Sequence, residues 1–336
     1  MKNMGTFTAP IVHARKFTAK VNDSAIQNGM ASLVSELEKR NPRLREPLTS
    51  LTYTRDIPVK VGGGWVEFIS AMSIDYGVTG GSGDGVVSAG GANATPLIQA
   101  NFDKDTWKTH AFEVAVRIMH VDLERSKITG RSLDEILTRG VRHTYDKHME
   151  QNVYFGISKY GSFGLLNNPN IAAANVADNG SGSTAWDDKT AEQIRDDINE
   201  AINAAWEQAG YDREALPNHI LLPYEQFNKI VERTNSDLAN ISILEYLLEN
   251  NITKANGGEL FIGATQWNKG IGAGGKDRMA VYCHNERYLA VEELAPLSRI
   301  MTAPNATEGS YDSRYAANLS EVEYLYTQTA VYRDGI

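Results

Sequence analysis

Ser132-Leu133-Asp134-Glu135 opens the longest regular pattern in the chain. Ser132 supplies an N-cap, Glu135 completes a capping box, and Asp134 puts negative charge at the positive end of the helix dipole. Leu133, Leu137, Val141, Tyr145, Met149 and Val153 then step by four. Each such step over-rotates by about 40°, so the stripe winds around a long helix instead of marking one narrow face. The spacing predicts a helix over 132–155, more than five turns, as a structural spine. It ends before the turn-rich string Gly161-Ser162-Phe163-Gly164-Leu165-Leu166-Asn167-Asn168-Pro169.

The segment before the spine reads as β structure. Ile57, Val59 and Val61 alternate with Pro58 and Lys60, and Trp65-Val66-Glu67-Phe68-Ile69 continues the strand composition. Phe112, Val114, Val116 and Ile118 alternate with Ala111, Glu113, Ala115 and Arg117, the pattern of a strand with one buried face. Between these strands, seven of the fifteen positions 77–91 are glycine, including Gly80-Gly81-Ser82-Gly83-Asp84-Gly85. A phosphate-binding loop would sit between a strand and a helix and carry a Lys-Ser/Thr pair or a spaced acid. None is present, so the segment reads as the tip of a β excursion over roughly 52–120. Nearer the start, residues 1–22 carry Lys2, Arg15, Lys16 and Lys20 with no acid before Asp23, as in an extended arm. Ser24 and Gln27 then cap a helix through Met30, Leu33, Val34 and Leu37 that Pro42 stops.

After the spine, the polar Gly/Ser stretch 176–184 marks the best domain boundary. Thr190 and Gln193 cap a helix with Ile194, Ile198, Ala201, Ile202, Ala205 and Trp206 on its core face, and Gly210 stops it. A short strand at 219–222, a helix at 224–233 opened by Pro223, a helix at 243–248 and strands at 259–263, 279–284 and 288–291 complete an α+β unit. The tail alternates Glu321 and Glu323 with Val322, Tyr324 and Tyr326. It predicts a strand running on to Tyr332 that returns to the sheet begun before the spine.

With 33 Lys+Arg against 42 Asp+Glu, the net charge of −9 argues against a dedicated nucleic-acid binder. The one cysteine, Cys283, excludes an intramolecular disulfide framework and a Cys-based zinc finger. No run approaches the roughly 18 apolar residues of a membrane helix, and Met1-Lys2-Asn3-Met4-Gly5 lacks an apolar signal core, so a soluble, cytosol-made protein is expected.

Catalytic constellations are not legible. His143 and His148 lie five apart on the spine, about 140° out of phase, which is poor spacing for two metal ligands on one helix. Tyr160-Gly161-Ser162-Phe163-Gly164 lacks the first glycine of a nucleophile elbow. Cys283 reads as a buried inert thiol, with His284 on the opposite side of its strand. The acid pairs Glu292-Glu293 and Asp196-Asp197 read as solvated charge. No catalytic, cofactor or metal residues are expected, and the chain reads as a non-enzyme.

The order of parts (basic arm, Gly-tipped β excursion, capped spine, the exit Phe163-Gly164-Leu165-Leu166-Asn167, an α+β unit and a returning strand) resembles the major capsid proteins of tailed bacteriophages. That resemblance implies an α+β, Hong Kong 97-type phage capsid fold. In it, 1–50 would be the N-terminal arm and helix, and 51–120 an extended loop lying over a neighbouring subunit. Residues 121–180 plus 301–336 would be a peripheral domain built on the spine, and 185–300 an axial domain. It implies self-assembly into pentamers and hexamers of an icosahedral head, assembled in the bacterial cytoplasm as part of the virion. The head would enclose double-stranded DNA without sequence-specific contact. Scaffold, portal and decoration proteins are the possible partners; no membrane and no cofactor is implied. Candidate inter-subunit contacts are Trp65, Phe68, Ile69, Gly80, Gly81, Gly83, Gly85, Arg15 and Lys16. An excursion of this length cannot bury its own Trp65, Phe68 and Ile69, and a neighbouring subunit is the natural cover. Some relatives cross-link a loop lysine to a neighbour's asparagine; Lys60, Lys104 and Lys108 flank the excursion but its tip has none, so no cross-link is expected. The short arm implies a separate scaffold or a chain already trimmed. Two other readings stay open: an encapsulin-like bacterial compartment shell, and a soluble α/β enzyme with the Gly-rich loop as lid.

Overall fold

Two sheets share the spine helix, and each draws strands from distant parts of the chain. The structure, a computed structural model, describes residues 50–79, 97–129, 132–234 and 241–336. The arm with Arg15 and Lys16, the helix expected at 24–37 and the tip glycines Gly80, Gly81, Gly83 and Gly85 lie outside the described residues.

A short helix α1 (Tyr53–Asp56) precedes β1 (Val59–Val61), β2 (Phe68–Thr79) and β3 (Leu97–Met119). Then come α2 (His120–Thr129) and the spine α3 (Leu133–Phe155), with Ser132 accepting from the Glu135 amide as its N-cap. β4 (Ala172–Asn175) leads to α4 (Ala191–Gln208), whose capping box between Thr190 and Gln193 is complete. β5 (His219–Pro223), α5 (Tyr224–Glu232), α6 (Ile243–Glu249), α7 (Ile252–Ala255), β6 (Phe261–Thr265) and β7 (Arg278–Tyr282) follow. The chain ends with β8 (Leu289–Asn305), β9 (Ser310–Ser320), β10 (Glu323–Tyr324) and β11 (Ala330–Asp334).

One sheet has the order β1-β8-β9-β3-β2, with β10 also on β8; the other has the order β4-β11-β7-β5-β6. Strand alternation places the second sheet between two cores. Ile220, Leu222, Met279, Val281 and Val331 face α4, α5 and α6, while Leu221, Ala280, Tyr282 and Tyr332 face Val153, Tyr154, Leu165 and Leu166 at the spine's exit. A third cluster joins Tyr145 and Met149 of the spine to Ala317 and Leu319 of β9, with Phe112 packed against it.

Three expectations are corrected. The strand expected at 288–291 runs to Asn305, and its register against β9 shifts three times. Those bulges, with Pro296 and Pro304, erase the period of two that would announce a strand. The tail is not one strand. Within that stretch β10 pairs with β8 of the first sheet, but β11 crosses into the other sheet between β4 and β7 after a 3₁₀ turn at Thr327–Thr329. The stretch 176–184 does not separate two domains. It joins β4 to α4, which packs on the same sheet, and Thr184 Oγ1 ties it to Gly335 O at 2.7 Å. The short helix α1 and the weakly amphipathic α2 were not legible in the sequence.

Candidate assembly surface

β2 and β3 form a two-stranded ribbon, Phe68 opposite Lys108 through Thr79 opposite Leu97. Twelve paired residues at strand rise extend it by about 40 Å. Only the second half of β3, Thr109–Met119, continues into the sheet beside β9. There the even-numbered residues Phe112, Val114, Val116 and Ile118 are buried or half-buried on the spine side, while 111, 113, 115 and 117 are exposed. Phe112 packs edge-on against Tyr145 of the spine at 5.4 Å.

The same parity continues into the ribbon, where no helix among the described residues covers it. Phe68, Met72, Ile74, Tyr76 and Val78 of β2 stand opposite Lys108, Lys104, Phe102, Ala100 and Ile98 of β3. Directly opposed residues share a face. The seven large apolar side chains among them are between 44 and 74% exposed. The other face carries Asp75, Asp103 and Asp105 with Ser73, Asn101 and Gln99 along its middle, between Ile69 and Trp107 at the base and Leu97 at the far end. The ribbon therefore has one apolar face edged by two lysines and one face that is acidic and polar along its middle. Seven exposed apolar side chains in one stripe far exceed the scattered ones of an ordinary surface, and each yields about 1.5–3 kcal/mol when fully buried.

The base of the ribbon is fixed. Asn318 Nδ2 donates to Gly64 O and Val66 O at 3.1 Å, Thr109 Oγ1 donates to Val66 O at 2.5 Å, and the Lys108 amide donates to Glu321 Oε1 at 2.8 Å. Gly62 and Gly64 amides bond to Glu293 O and Leu294 O. At Gly63 the backbone has φ +121°, a conformation that favours glycine, and a Cβ would also meet the end of the Leu294 side chain at 2.5 Å.

Of the sequence-derived contact candidates, Trp65 and Phe68 are largely exposed and Ile69 is half-buried. They are not one patch: Phe68 lies on the apolar face, whereas Ile69 sits opposite Trp107 on the other. Met72, Ile74, Tyr76, Val78, Ile98 and Phe102 were missed, although the alternation from Phe68 to Val78 signals them.

The remaining candidates are tied into the structure. Cys283 is buried, with its thiol pushed up to about 11 by burial. His148 packs on Phe112 at 5.4 Å, and burial lowers its pKa. Ser162 Oγ accepts from the Ile157 amide at 2.7 Å and holds the turn after the spine. The acid pairs are corrected in part. Asp197 is buried and takes Lys189 Nζ at 2.6 Å and Trp186 Nε1 at 2.8 Å, and Glu293 accepts from Tyr145 OH at 2.6 Å. Among the described residues, no group of three or more His, Cys, Asp or Glu side chains is placed to hold a metal ion, and no helix is long and apolar enough to cross a membrane.

The architecture has solved counterparts. The capsid of Myoviridae phage XM1 superposes with a TM-score of 0.74 at 16% identity, covering 90% of this chain and 98% of that one. Microbacterium phage Oxtober96 gives a TM-score of 0.58 at 13% identity (90% and 97% covered), and the capsid of an empty GTA particle 0.58 at 12% (88% and 94%). No curated protein matches the sequence. The spine, the two sheets and the projecting ribbon are thus those of the Hong Kong 97-type phage capsid fold. The model of the major capsid protein family matches residues 83–336, and the chain belongs to that family. It is a structural protein of the bacteriophage virion that associates with copies of itself in the capsid shell.

Proposed function

We propose that the chain builds an icosahedral head from pentamers and hexamers, encloses double-stranded DNA without reading its sequence, and performs no catalysis. Assembly takes place in the bacterial cytoplasm, with scaffold and portal proteins as partners. The segment 51–120 acts as the extended loop. The observation that carries this reading is the ribbon's apolar face. It continues the face that the spine covers in β3, yet no element among the described residues covers it, so a second copy is the cover that a self-associating subunit supplies. Trp65 and Phe68 belong to that contact, with the arm residues Arg15 and Lys16 and the tip glycines as its further members.

Neighbouring positions on opposite faces test it. Tyr76→Asp places a charge in the proposed contact, whereas Asp75→Asn changes only the acidic face. Light scattering and negative-stain microscopy of the full chain should show closed shells, or rings of five and six, for the native sequence and for D75N. Y76D should raise the concentration needed for assembly about tenfold or more, equivalent to about 1.4 kcal/mol per contact, with an unchanged circular dichroism spectrum. Equal assembly of both variants would remove the ribbon face from the interface.

A further inference from the structure

We propose that Asp56, His219 and His284 form an acid-sensitive latch that holds residues 52–57 against the spine and the five-stranded sheet. The inference concerns the single subunit and stands whether or not the assembly reading above is correct.

A four-residue helix such as α1 has no stability of its own; its surroundings hold it. Glu150 of the spine accepts from the Thr52 amide at 2.9 Å, from Thr52 Oγ1 at 2.7 Å and from the Tyr53 amide at 3.1 Å. Asp56 is wholly buried. Its carboxylate takes Arg55 Nε at 2.5 Å and Nη2 at 2.9 Å as well as the Tyr154 hydroxyl of the spine. Its carbonyl accepts from Tyr282 OH of β7 at 2.5 Å.

On the sheet side, His219 of β5 is stacked against Phe261 of β6 at 4.5 Å and against His284, just past β7, at 4.9 Å. His219 Nε2 stands 3.6 Å from Asp56 Oδ1, beyond hydrogen-bond length. The Nε2 atoms of both histidines are buried with no hydrogen-bond partner.

The groups facing these histidines are Arg55 and Asp56 from α1, Tyr154 from the spine, Phe261 from β6 and Tyr282 from β7. At neutral pH only Arg55 and Asp56 carry charge, and they balance. A proton on His219 puts two cations on one carboxylate, and a proton on His284 adds a third, around an Asp56 that is wholly buried. Burial holds both imidazoles below their ordinary 6.5, and for His219 this outweighs the pull of Asp56.

The sign follows from linkage. A histidine depressed in the folded state contributes stability that is complete above 6.5 and is lost as the pH falls below it. Asp56 is itself held below its usual 3.8: burial raises it, but His219, Arg55 and Tyr154 together outweigh that. Its share is therefore lost only in stronger acid, so the histidines open the latch first. Residues 52–57 lead through Pro58 into β1 and Gly62–Gly64 at the base of the ribbon, so opening releases one restraint on that base while β3 stays paired with β9.

Hydrogen exchange of the full chain between about pH 7.5 and about 4.5, corrected for the intrinsic pH dependence of exchange, reads the latch directly. The native protein should lose about tenfold or more of its protection at residues 52–57 below pH 6.5, while amides in the middle of the spine keep theirs. The double variant His219→Phe with His284→Phe keeps the ring stack and should hold its protection into the carboxylate range. Flat protection in the native protein, or loss at the same pH in the variant, overturns the latch. Should the variant fail to fold, C2-proton exchange of the native histidines decides: midpoints below 6.5 at both His219 and His284 support it, and a midpoint at or above 6.5 at either overturns it.

Discussion

Glu323 is a buried carboxyl whose Oε1 has no hydrogen-bond partner, a costly arrangement for an ionised group. Burial, and then the charge of Glu292, push it up to about 7. A carboxyl raised in the folded state contributes stability that is complete below the ordinary 4.5 and is lost as the pH rises through 7. Glu323→Gln keeps the shape and removes the ionisation. The stabilisation it gives should therefore grow by about 2–3 kcal/mol between pH 5 and pH 8. Urea unfolding of the unassembled subunit at the two pH values checks this, and a difference independent of pH would show that Glu323 is ionised throughout. Nothing in the sequence distinguished Glu323 from Glu321. Both lie on one parity of an alternating tail, and only the pairing of β10 with β8 buries one of them.

At the scale of elements, the spine's exit explains why its string was readable. Gly156 ends the helix at φ +68°, and the chain folds back so that Leu165 N reaches Val153 O at 2.7 Å and Leu166 N reaches Tyr154 O at 3.1 Å. Asn167 Oδ1 accepts from the Gly164 amide at 2.7 Å, and its Nδ2 donates to Phe155 O at 2.8 Å. The returning loop thus satisfies the carbonyls that a helix end leaves open. Leu165 and Leu166 fill the core beneath, and Tyr324 and Tyr332 both donate to Leu165 O. A Cβ at Gly164 would lie 2.4 Å from the backbone of Phe155 and Tyr154, where no flexible side chain can yield. Gly164→Ala should cost about 2–4 kcal/mol. Gly161→Ala, at φ +70° in open space, should cost about 1 kcal/mol. Equal losses in chemical denaturation would show that the close approach at Gly164 is not what fixes that residue. Capped helices and strict alternation are local signals, which is why the spine, α4 and the strand at 112–118 were legible. β8 was not, because its bulges and prolines break the period. The ribbon's apolar face was only half-read, because Ile69 was grouped with Phe68 when the pleat puts them on opposite sides.

For the whole molecule, the crossing of the last strand into the second sheet matters most, and no local pattern announces it. β11 is buried along its entire length between β4 and β7. Val331 enters the core under α4, and Tyr332 enters the core at the spine's exit. Arg333 pairs with Glu200 through two bonds of 2.9 Å, and Asp334 takes Arg278 at 2.7 and 2.8 Å. The C-terminal residues thus connect both hydrophobic cores, and their removal opens the sheet in its interior. Fully burying Val331 and Tyr332 alone contributes about 3–6 kcal/mol. A domain of this kind has about 5–15 kcal/mol in total. Deleting residues 330–336 should therefore abolish cooperative unfolding of the subunit. Replacing the ribbon, 68–108, by a short turn removes a projection whose described residues belong to neither core, so it should leave the melting transition of the subunit intact while preventing assembly. Thermal unfolding followed by circular dichroism separates the two. A cooperative transition in the C-terminal truncation would mean that the sheet closes without β11, and loss of the transition on removing the ribbon would mean that the ribbon is part of the folded core.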